Sequence, residues 1–163
     1  MDAARHDLPE PDALTRPYWE AATRGRLLIR RCGTCGRAHH YPREFCPRCW
    51  SEEVTWEEAG GRATLYTWST VHRNDLPPFA GRTPYLAAVV DLAEGPRMMT
   101  ELVDCPEDAV RAGMRLEVTF RDGIPVFRPR PDGPHGGGQV PGRPGTGPAT
   151  TSRGDGVPPG APR

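Results

Sequence analysis

Alternating hydrophobic and polar residues in the second half of the chain predict β-strands. The clearest alternation spans residues 114–120, where Met114, Leu116, Val118 and Phe120 are separated by Arg115, Glu117 and Thr119. A period of two gives a strand one buried face and one face in water. Similar patterns predict further strands at residues 63–72, 85–92, 97–103 and 124–127.

Turn-forming residues separate these predicted strands. They occur at residues 74–78, at Glu94-Gly95 and at Asp122-Gly123, and residues 106–111 are expected to form one helical turn. A series of about five short strands is typical of a small barrel of the oligonucleotide/oligosaccharide-binding (OB) type. An open sandwich is the alternative. The predicted fold class is therefore mainly β.

The first half of the chain predicts a short helix followed by a ribbon. Residues 15–24 are expected to be helical, with Thr15 as a possible N-cap, Pro17 in the first turn and Gly25 at the end. The side of this helix expected to be buried consists of Tyr18, Trp19 and Ala22.

Two short strands are expected on either side of the first cysteine pair, at residues 26–31 and 37–41. Residues 54–58 then lead to Gly60-Gly61, a break at which a second unit is expected to begin. The predicted organisation is a flexible N-terminus at 1–13, helix and zinc ribbon at 14–59, OB-fold barrel at 60–128 and a disordered tail at 129–163.

The predicted tail is rich in Gly and Pro and has almost no apolar side chains that could offset the entropy lost on ordering. It contains an Arg-Gly-Asp triplet at residues 153–155, which we attribute to chance. The N-terminus lacks the basic start and apolar run of a secretory signal, and no segment has the length of a membrane span. We therefore expect a cytoplasmic protein without a membrane partner.

Composition excludes several functions. The 21 basic and 21 acidic residues cancel, and every basic residue is Arg, so chemistry that requires a lysine amine is excluded. HExxH, GxSxG, phosphate-loop and dinucleotide-binding motifs are absent as well. Asp91 and Glu94 are interpreted as an edge charge and a turn former. We therefore expect no catalytic residues.

Four cysteines predict a metal site. They form two CxxC pairs, a spacing that lets both sulfurs of each pair face one ion, and in a reducing compartment such pairs bind metal more often than they form disulfides. The predicted ligands of one Zn²⁺ are Cys32, Cys35, Cys46 and Cys49. A rubredoxin-like iron and a redox dithiol are the alternatives. Because four thiolates leave no open coordination position, the zinc is expected to be structural.

Other residues near the metal site have less defined roles. The arginines expected to lie near the thiolates, either compensating their charge or simply solvated, are Arg30, Arg31, Arg37, Arg43 and Arg48. His39 and His40 are not expected to be ligands, since four sulfurs suffice. Cys105 has no partner pattern and is interpreted as an inert thiol.

The order of these motifs resembles the zinc-ribbon, OB-fold proteins that are associated with acyl-CoA enzymes. The matching segments are PYWEA from Pro17, GRLLIRRCGTCG from Gly25, YPREFCPRC from Tyr41, VTWEEAGGRATLYTWSTVHR from Val54, PYLAAVVDLAEGPRMMTELVDC from Pro84, GMRLEVTF from Gly113 and IPVFRP from Ile124. They cover residues 14–129. Trp50 departs from the pattern, because such knuckles often have Gly there, so the turn after Cys49 is expected to be strained or altered.

The resemblance implies a non-catalytic accessory subunit in a hetero-oligomer. Its partner would be a thiolase-like enzyme, a thiolase-type aldolase or an enoyl-CoA hydratase of lipid, steroid or polyketide metabolism, and the subunit would help to hold the acyl-CoA thioester. CoA offers an adenine for stacking and phosphates for Arg. The candidate contact residues are Trp68, His72, Arg73, Phe79, Arg82 and Tyr85.

Single-stranded nucleic-acid binding is the alternative function, because OB barrels commonly bind nucleic acid through a basic groove and stacked aromatic residues. The charge of the predicted barrel opposes it. Residues 60–128 contain eight Arg and nine acidic residues, whereas a surface that follows phosphates is positive. We therefore expect no nucleic-acid partner.

Overall fold

The computed structural model describes residues 8–131. The predicted helix is present as α1, Arg16–Thr23, with proline in its first turn. Gly25, two residues after the last helical residue, terminates the helix as predicted: it adopts φ +73° and donates its N–H to the Ala22 carbonyl at 3.0 Å. Thr15 precedes the helix but makes no side-chain cap. Its hydroxyl donates to Oδ1 of Asp12 at 2.7 Å, so Thr15 takes the predicted N-cap position without capping the helix through its side chain.

Three strands form the ribbon sheet: β1 (Leu28–Cys32), β2 (Ala38–His39) and β3 (Val54–Glu58). The central strand is β1, which pairs antiparallel with both neighbours. Residues 54–58 were expected only to lead to the barrel. The structure makes them the long edge of the ribbon, because β3 pairs with β1 along its whole length.

Five strands close into a barrel: β4 (Arg62–Val71), β5 (Tyr85–Leu92), β6 (Arg97–Leu102), β7 (Arg115–Arg121) and β8 (Ile124–Pro129). Their order is β4-β5-β6-β8-β7, and β7 closes the barrel on β4. The closed barrel excludes the open sandwich. It is also no simple meander, because β8 lies between β6 and β7 and runs parallel to β6 at Leu102 and Phe127.

Short turns complete the barrel. A 3₁₀ turn at Phe79–Gly81 follows β4, and another at Glu107–Ala109 confirms the helical turn predicted between β6 and β7. Asp122 and Gly123 both adopt positive φ, +52° and +80°, between β7 and β8. Positive φ at both central residues is typical of tight hairpin turns, as the Asp-Gly pair predicted.

One hydrophobic core connects the helix, the ribbon and the barrel. Tyr18 and Ile29 come from the first half of the chain and pack in the same cluster as Val90, Leu116 and Phe127 of the barrel. Of the four apolar side chains predicted to be buried on β7, Leu116 is fully buried, and Met114, Val118 and Phe120 are half-buried against this cluster. The helix buries Tyr18, Ala21 and Ala22, while Trp19 is half-buried.

Within residues 8–131, no helix is long and apolar enough to cross a membrane. Most of the predicted disordered tail (129–163) and of the predicted flexible N-terminus (1–13) lies outside the described residues, at 132–163 and 1–7. The Arg-Gly-Asp triplet also lies there. These interpretations stay predictions. Pro129, where the tail was predicted to begin, is instead the last residue of β8.

Candidate metal centre and ligand groove

The four predicted cysteine ligands converge on one point. Their Sγ atoms all lie within 4.8 Å of one another. The Sγ atoms of Cys32 and Cys49 are 3.6 Å apart, and those of Cys35 and Cys46 are 3.7 Å apart. A Zn–S bond of about 2.3 Å in a tetrahedron requires sulfur separations of about 3.8 Å. The donor set and its spacing therefore fit a tetrahedral Zn²⁺.

The backbone of each knuckle is folded around its first sulfur. The N–H of Cys35 donates to the Sγ of Cys32 at 3.4 Å, and this contact lowers the pKa of Cys32. The N–H groups of Cys49 and Arg48 lower the pKa of Cys46 to about 6. Because the thiolate is the form that binds metal, these contacts prepare the knuckles for an ion.

Arg30 and Arg31 contact groups of the ribbon sheet and do not contact the thiolates, whose negative charge they were candidates to compensate. Arg31 forms a two-pronged ion pair with Glu57 and donates to the Gly36 carbonyl at 2.7 Å. Arg30 stacks over Trp56 at 4.7 Å and donates to the carbonyl of Val54 at 3.2 Å. These arginines therefore brace the ribbon sheet on which the first knuckle is mounted.

Side-chain hydrogen bonds join the two knuckles. The hydroxyl of Thr34, inside the first knuckle, lies 2.7 Å from that of Ser51, just after the second, and donates to Glu53 at 2.9 Å.

Cys105 lies apart from the metal site. Its thiol is half-buried, contacts the Pro106 carbonyl at 3.7 Å and has a pKa raised by burial. A raised pKa agrees with the prediction of an inert thiol.

Neither histidine belongs to the metal cluster, which among the described residues consists of the four cysteines alone. His39 is buried on β2. The Nε2 of His40 lies 3.4 Å from the hydroxyl of Tyr18, and burial lowers the pKa of His40 to about 4. Burial also raises the pKa of Tyr18. His40 is therefore a neutral packing partner between the ribbon and the helix.

A groove of about 450 Å³ opens where the helix, the ribbon and the barrel meet. Three of the predicted CoA-contacting residues, Phe79, Arg82 and Tyr85, lie on its wall. The guanidinium of Arg82 is 4.9 Å from the ring centre of Phe79, whose ring centre is 5.8 Å from that of Tyr85. The structure thus brings into one cluster three residues that the sequence suggested one by one.

The other three predicted contact residues lie away from the groove. Trp68 packs against the hydrophobic core. His72 is exposed, and Arg73 is exposed and paired with Asp75 at 3.1 Å. Their selection as ligand contacts stays a prediction without support from the geometry.

Several groove residues were missed by the sequence analysis or given another role. The ones that supply apolar wall are Tyr18, Trp19, Tyr41, Met98 and Met99. Tyr18 and Trp19 were assigned to the core, and they do pack there through an edge contact at 5.0 Å. Met98 and Met99 could have been predicted from the sequence to supply an exposed apolar side chain, because one of two consecutive strand residues must face outward. In the structure this residue is Met99, which is 66% exposed.

Several arginines of the barrel are paired with carboxylates. Arg97 donates two hydrogen bonds to the carboxylate of Asp91, at 2.7 and 3.1 Å, and Arg128 forms an ion pair with Glu117 at 2.9 Å. At the groove, Arg121 forms a two-pronged ion pair with Glu101. Arginines neutralised in this way offer little to a phosphate backbone.

Comparison with known proteins gives the same two-part division. Residues 19–55 match the rubredoxin-like zinc ribbon domain of ChsH2, and residues 56–121 match the C-terminal OB-fold domain of ChsH2. Together with the geometry of the four sulfurs, the ribbon match confirms the prediction of zinc.

Two of the relatives are named as an enzyme subunit and as a scaffold protein. A probable enoyl-CoA hydratase alpha subunit of Thermomonospora curvata is 35% identical over 69% of this chain, which spans only 36% of that protein. A DUF35 domain-containing scaffold protein of Methanocaldococcus jannaschii is 36% identical over 58% of this chain and 67% of its own length.

A solved structure titled Ltp2-ChsH2(DUF35) aldolase contains a chain of the same fold. That chain is 33% identical, aligns with a TM-score of 0.65, and is covered over 98% of its length by 75% of this chain. The names of these relatives, a scaffold protein among them, agree with the predicted non-catalytic accessory role.

Proposed function

Because this chain belongs to the ChsH2-type family of proteins with a rubredoxin-like zinc ribbon and an OB-fold domain, we propose that it is the accessory subunit of an acyl-CoA enzyme. The partner is a thiolase-like enzyme, an aldolase or an enoyl-CoA hydratase. The accessory chain supplies a folded surface and a part of the thioester-binding site. The chemistry is supplied by the partner.

The groove is the observation that carries this proposal. Its volume, about 450 Å³, lies within the range of about 300–1,000 Å³ that small-molecule sites occupy. Its wall is aromatic and thioether-rich, and Arg82 lies over Phe79 at 4.9 Å. Such a wall suits a ligand with both apolar and anionic parts: rings and methyl groups receive an acyl chain or a base, and a guanidinium receives a phosphate.

Exposed apolar side chains at the rim of the groove support a partner surface. Met99 is 66% exposed and Tyr41 is 55% exposed, and both line the groove. A second protein that covers these side chains would remove apolar area from water, and aromatic residues and Met are enriched in such interfaces. The ligand would then be enclosed between the two subunits.

The proposal is tested by affinity purification from the native host, followed by titration of the purified complex with an acyl-CoA ester. We expect an acyl-CoA enzyme to copurify with the chain. Phe79→Ala should weaken acyl-CoA binding by about tenfold, which corresponds to one aromatic stacking contact of about 1.4 kcal/mol. Tyr66→Ala is the matched control, because Tyr66 is an aromatic residue of the same barrel that lies beneath Arg97 and outside the groove.

Two results would contradict the proposal. One is a chain that purifies without an enzyme although the candidate enzyme is expressed in the same cells. The other is an acyl-CoA affinity that Phe79→Ala leaves unchanged or that Tyr66→Ala reduces to the same degree.

A further inference from the structure

Three arginines that carry no carboxylate partner within residues 8–131 surround a second concavity, on the side of the barrel where β4 meets β7. The concavity has a volume of about 380 Å³. Its charged wall consists of Arg62 on β4, Arg115 on β7 and Arg130 just after β8. We call these residues the arginine trio.

Strand register brings the arginine trio together. Arg115 lies opposite Thr64, and Arg130 donates its backbone N–H to the carbonyl of Arg115 at 3.0 Å. Arg62 precedes Thr64 by two positions on β4, so both face the same side of the sheet. With adjacent strands about 4.8 Å apart and diagonal neighbours about 7–8 Å apart, the three side chains reach a common point.

The carboxylates nearest to the arginine trio are already engaged. Asp91 lines the same concavity, but both of its oxygens accept hydrogen bonds from Arg97, at 2.7 and 3.1 Å. Glu117 lies opposite Arg62 and is held by Arg128 at 2.9 Å. The trio therefore leaves a local excess of positive charge in an otherwise neutral chain.

This excess favours an anion. Arg115 and Arg130 lie side by side across β7 and the residue after β8, and like charges at neighbouring positions repel each other until an anion neutralises them. Elsewhere on the barrel the outward arginines Arg97 and Arg128 each face a carboxylate. Three guanidinium groups around one hollow, with no carboxylate partner among residues 8–131, have the composition of an anion site.

We propose that the arginine trio binds a phosphate-bearing small ligand. Guanidinium forks match the paired oxygens of a phosphate monoester or diphosphate, and two or three such forks bind from different directions. The concavity has room for a diphosphate or a nucleoside bisphosphate. The hydroxyl of Thr64, on the same wall, adds a hydrogen-bond donor. This inference is independent of the acyl-CoA groove, which is lined by other residues.

The test is calorimetric titration of the full chain with inorganic pyrophosphate and with adenosine 3′,5′-bisphosphate at low ionic strength. Adenosine serves as the uncharged control ligand. Each single change, Arg62→Gln, Arg115→Gln or Arg130→Gln, should weaken binding by about tenfold, which is the size of one charge-assisted hydrogen bond to an anion. The triple variant should lose pyrophosphate binding, and any bisphosphate binding that it retains should depend on Phe79 in the groove.

The matched control is the triple variant Arg16→Gln, Arg24→Gln, Arg111→Gln. It removes the same charge from exposed positions outside the concavity. It should bind pyrophosphate as the unchanged chain does, and so should Phe79→Ala. Pyrophosphate binding that the trio variant loses supports the proposal, and so does bisphosphate binding lost by the trio variant but kept by Phe79→Ala; bisphosphate binding that the trio variant keeps and Phe79→Ala loses assigns the nucleotide to the groove and overturns the proposal.

Three further outcomes would overturn it. The unchanged chain fails to bind either phosphate compound, the arginine-trio variant binds as well as the unchanged chain, or the control variant loses binding equally. A trio variant that loses an acidic partner protein while no phosphate compound binds would assign the surface to protein docking instead. Melting curves of both triple variants establish that each is folded.

Discussion

Gly36 and Trp50 occupy equivalent backbone positions, one at the end of each cysteine knuckle. Their φ angles are +69° and +62°, and each donates its N–H at 3.0 Å to the carbonyl of the first cysteine of its knuckle. The backbone geometry that the first knuckle builds with glycine is thus built by the second with a large aromatic residue. The turn predicted to be strained at Trp50 is indeed in the left-handed region, which disfavours side chains.

We expect Gly36→Ala to destabilise the chain by about 1–2 kcal/mol, the cost of a side chain at left-handed φ. A Cβ at Gly36 would meet no atom within 4 Å, so backbone strain is the whole effect. Urea unfolding in excess zinc measures the change. Gly81→Ala is the control, because its Cβ also meets nothing and its φ is not positive. Equal stability of the two variants would rule out strain at Gly36.

We expect Trp50→Gly to stabilise the chain by about 0.5–1 kcal/mol, because glycine adopts left-handed φ without penalty. The substitution also removes a stacked contact with Phe45, whose ring centre is 5.2 Å away. Since Trp50 is 72% exposed, this contact contributes less than the strain costs. Urea unfolding measures the difference, and a loss of stability would show that the stacking dominates.

Zinc removal should unfold the ribbon. Structural zinc sites bind with about 10–16 kcal/mol in small peptides, which equals or exceeds the stability of a typical domain at about 5–15 kcal/mol. Cys46→Ser should abolish stoichiometric zinc in metal analysis and lower the melting temperature, whereas Cys105→Ser should retain one zinc per chain. A zinc-free Cys46→Ser protein that melts like the unchanged chain would contradict the structural role.

Stability should fall in mild acid because of His40. Burial lowers the pKa of His40 to about 4 in the folded state, from about 6.5 in the unfolded state. The unfolded chain therefore binds more protons between these values, and stability is lost as the pH falls from 6.5 toward 4. The contribution is about 2 kcal/mol between pH 7 and pH 5.

The measurement is urea unfolding of the unchanged chain and of His40→Gln at pH 7 and pH 5. Both proteins lose some stability as the zinc thiolates protonate, so the difference between their losses isolates His40. We expect the unchanged chain to lose about 2 kcal/mol more than the variant. Equal losses would show that His40 does not stay neutral in the fold.

Gly61 should tolerate no side chain. Its φ is +73°, and a Cβ at this position would lie 2.5 Å from Cγ1 of Val118. The two residues are held close because Val118 donates its backbone N–H to the Gly61 carbonyl at 2.7 Å. We expect Gly61→Ala to cost about 2–4 kcal/mol by overpacking and strain together. Val118→Ala should relieve the overpacking part, so a double-mutant cycle should show favourable coupling. Additive effects would contradict the contact.

Features that depend on neighbouring residues could be predicted from the amino-acid sequence. The predicted bounds of β5 agree with the structure residue for residue, since alternation and turn residues act over a few positions. The CxxC spacing predicted the metal ligands, because each knuckle is closed by local backbone hydrogen bonds. Phe79, Arg82 and Tyr85, three of the six candidate acyl-CoA contacts, lie together on the groove wall because they belong to one loop and the start of the next strand; their role in binding stays a prediction.

The tertiary structure alone decided what depends on residues far apart in the chain. The place of β8 between β6 and β7 follows from barrel closure, which no local pattern encodes. The groove joins Tyr18 of the helix, Tyr41 of the ribbon and Met98 of the barrel. The arginine trio becomes visible only when strand register places Arg115 beside Arg130. The chemical type of each side chain is known from the sequence. The distance between two charges or two rings is not, because it depends on which strands pair and in which register.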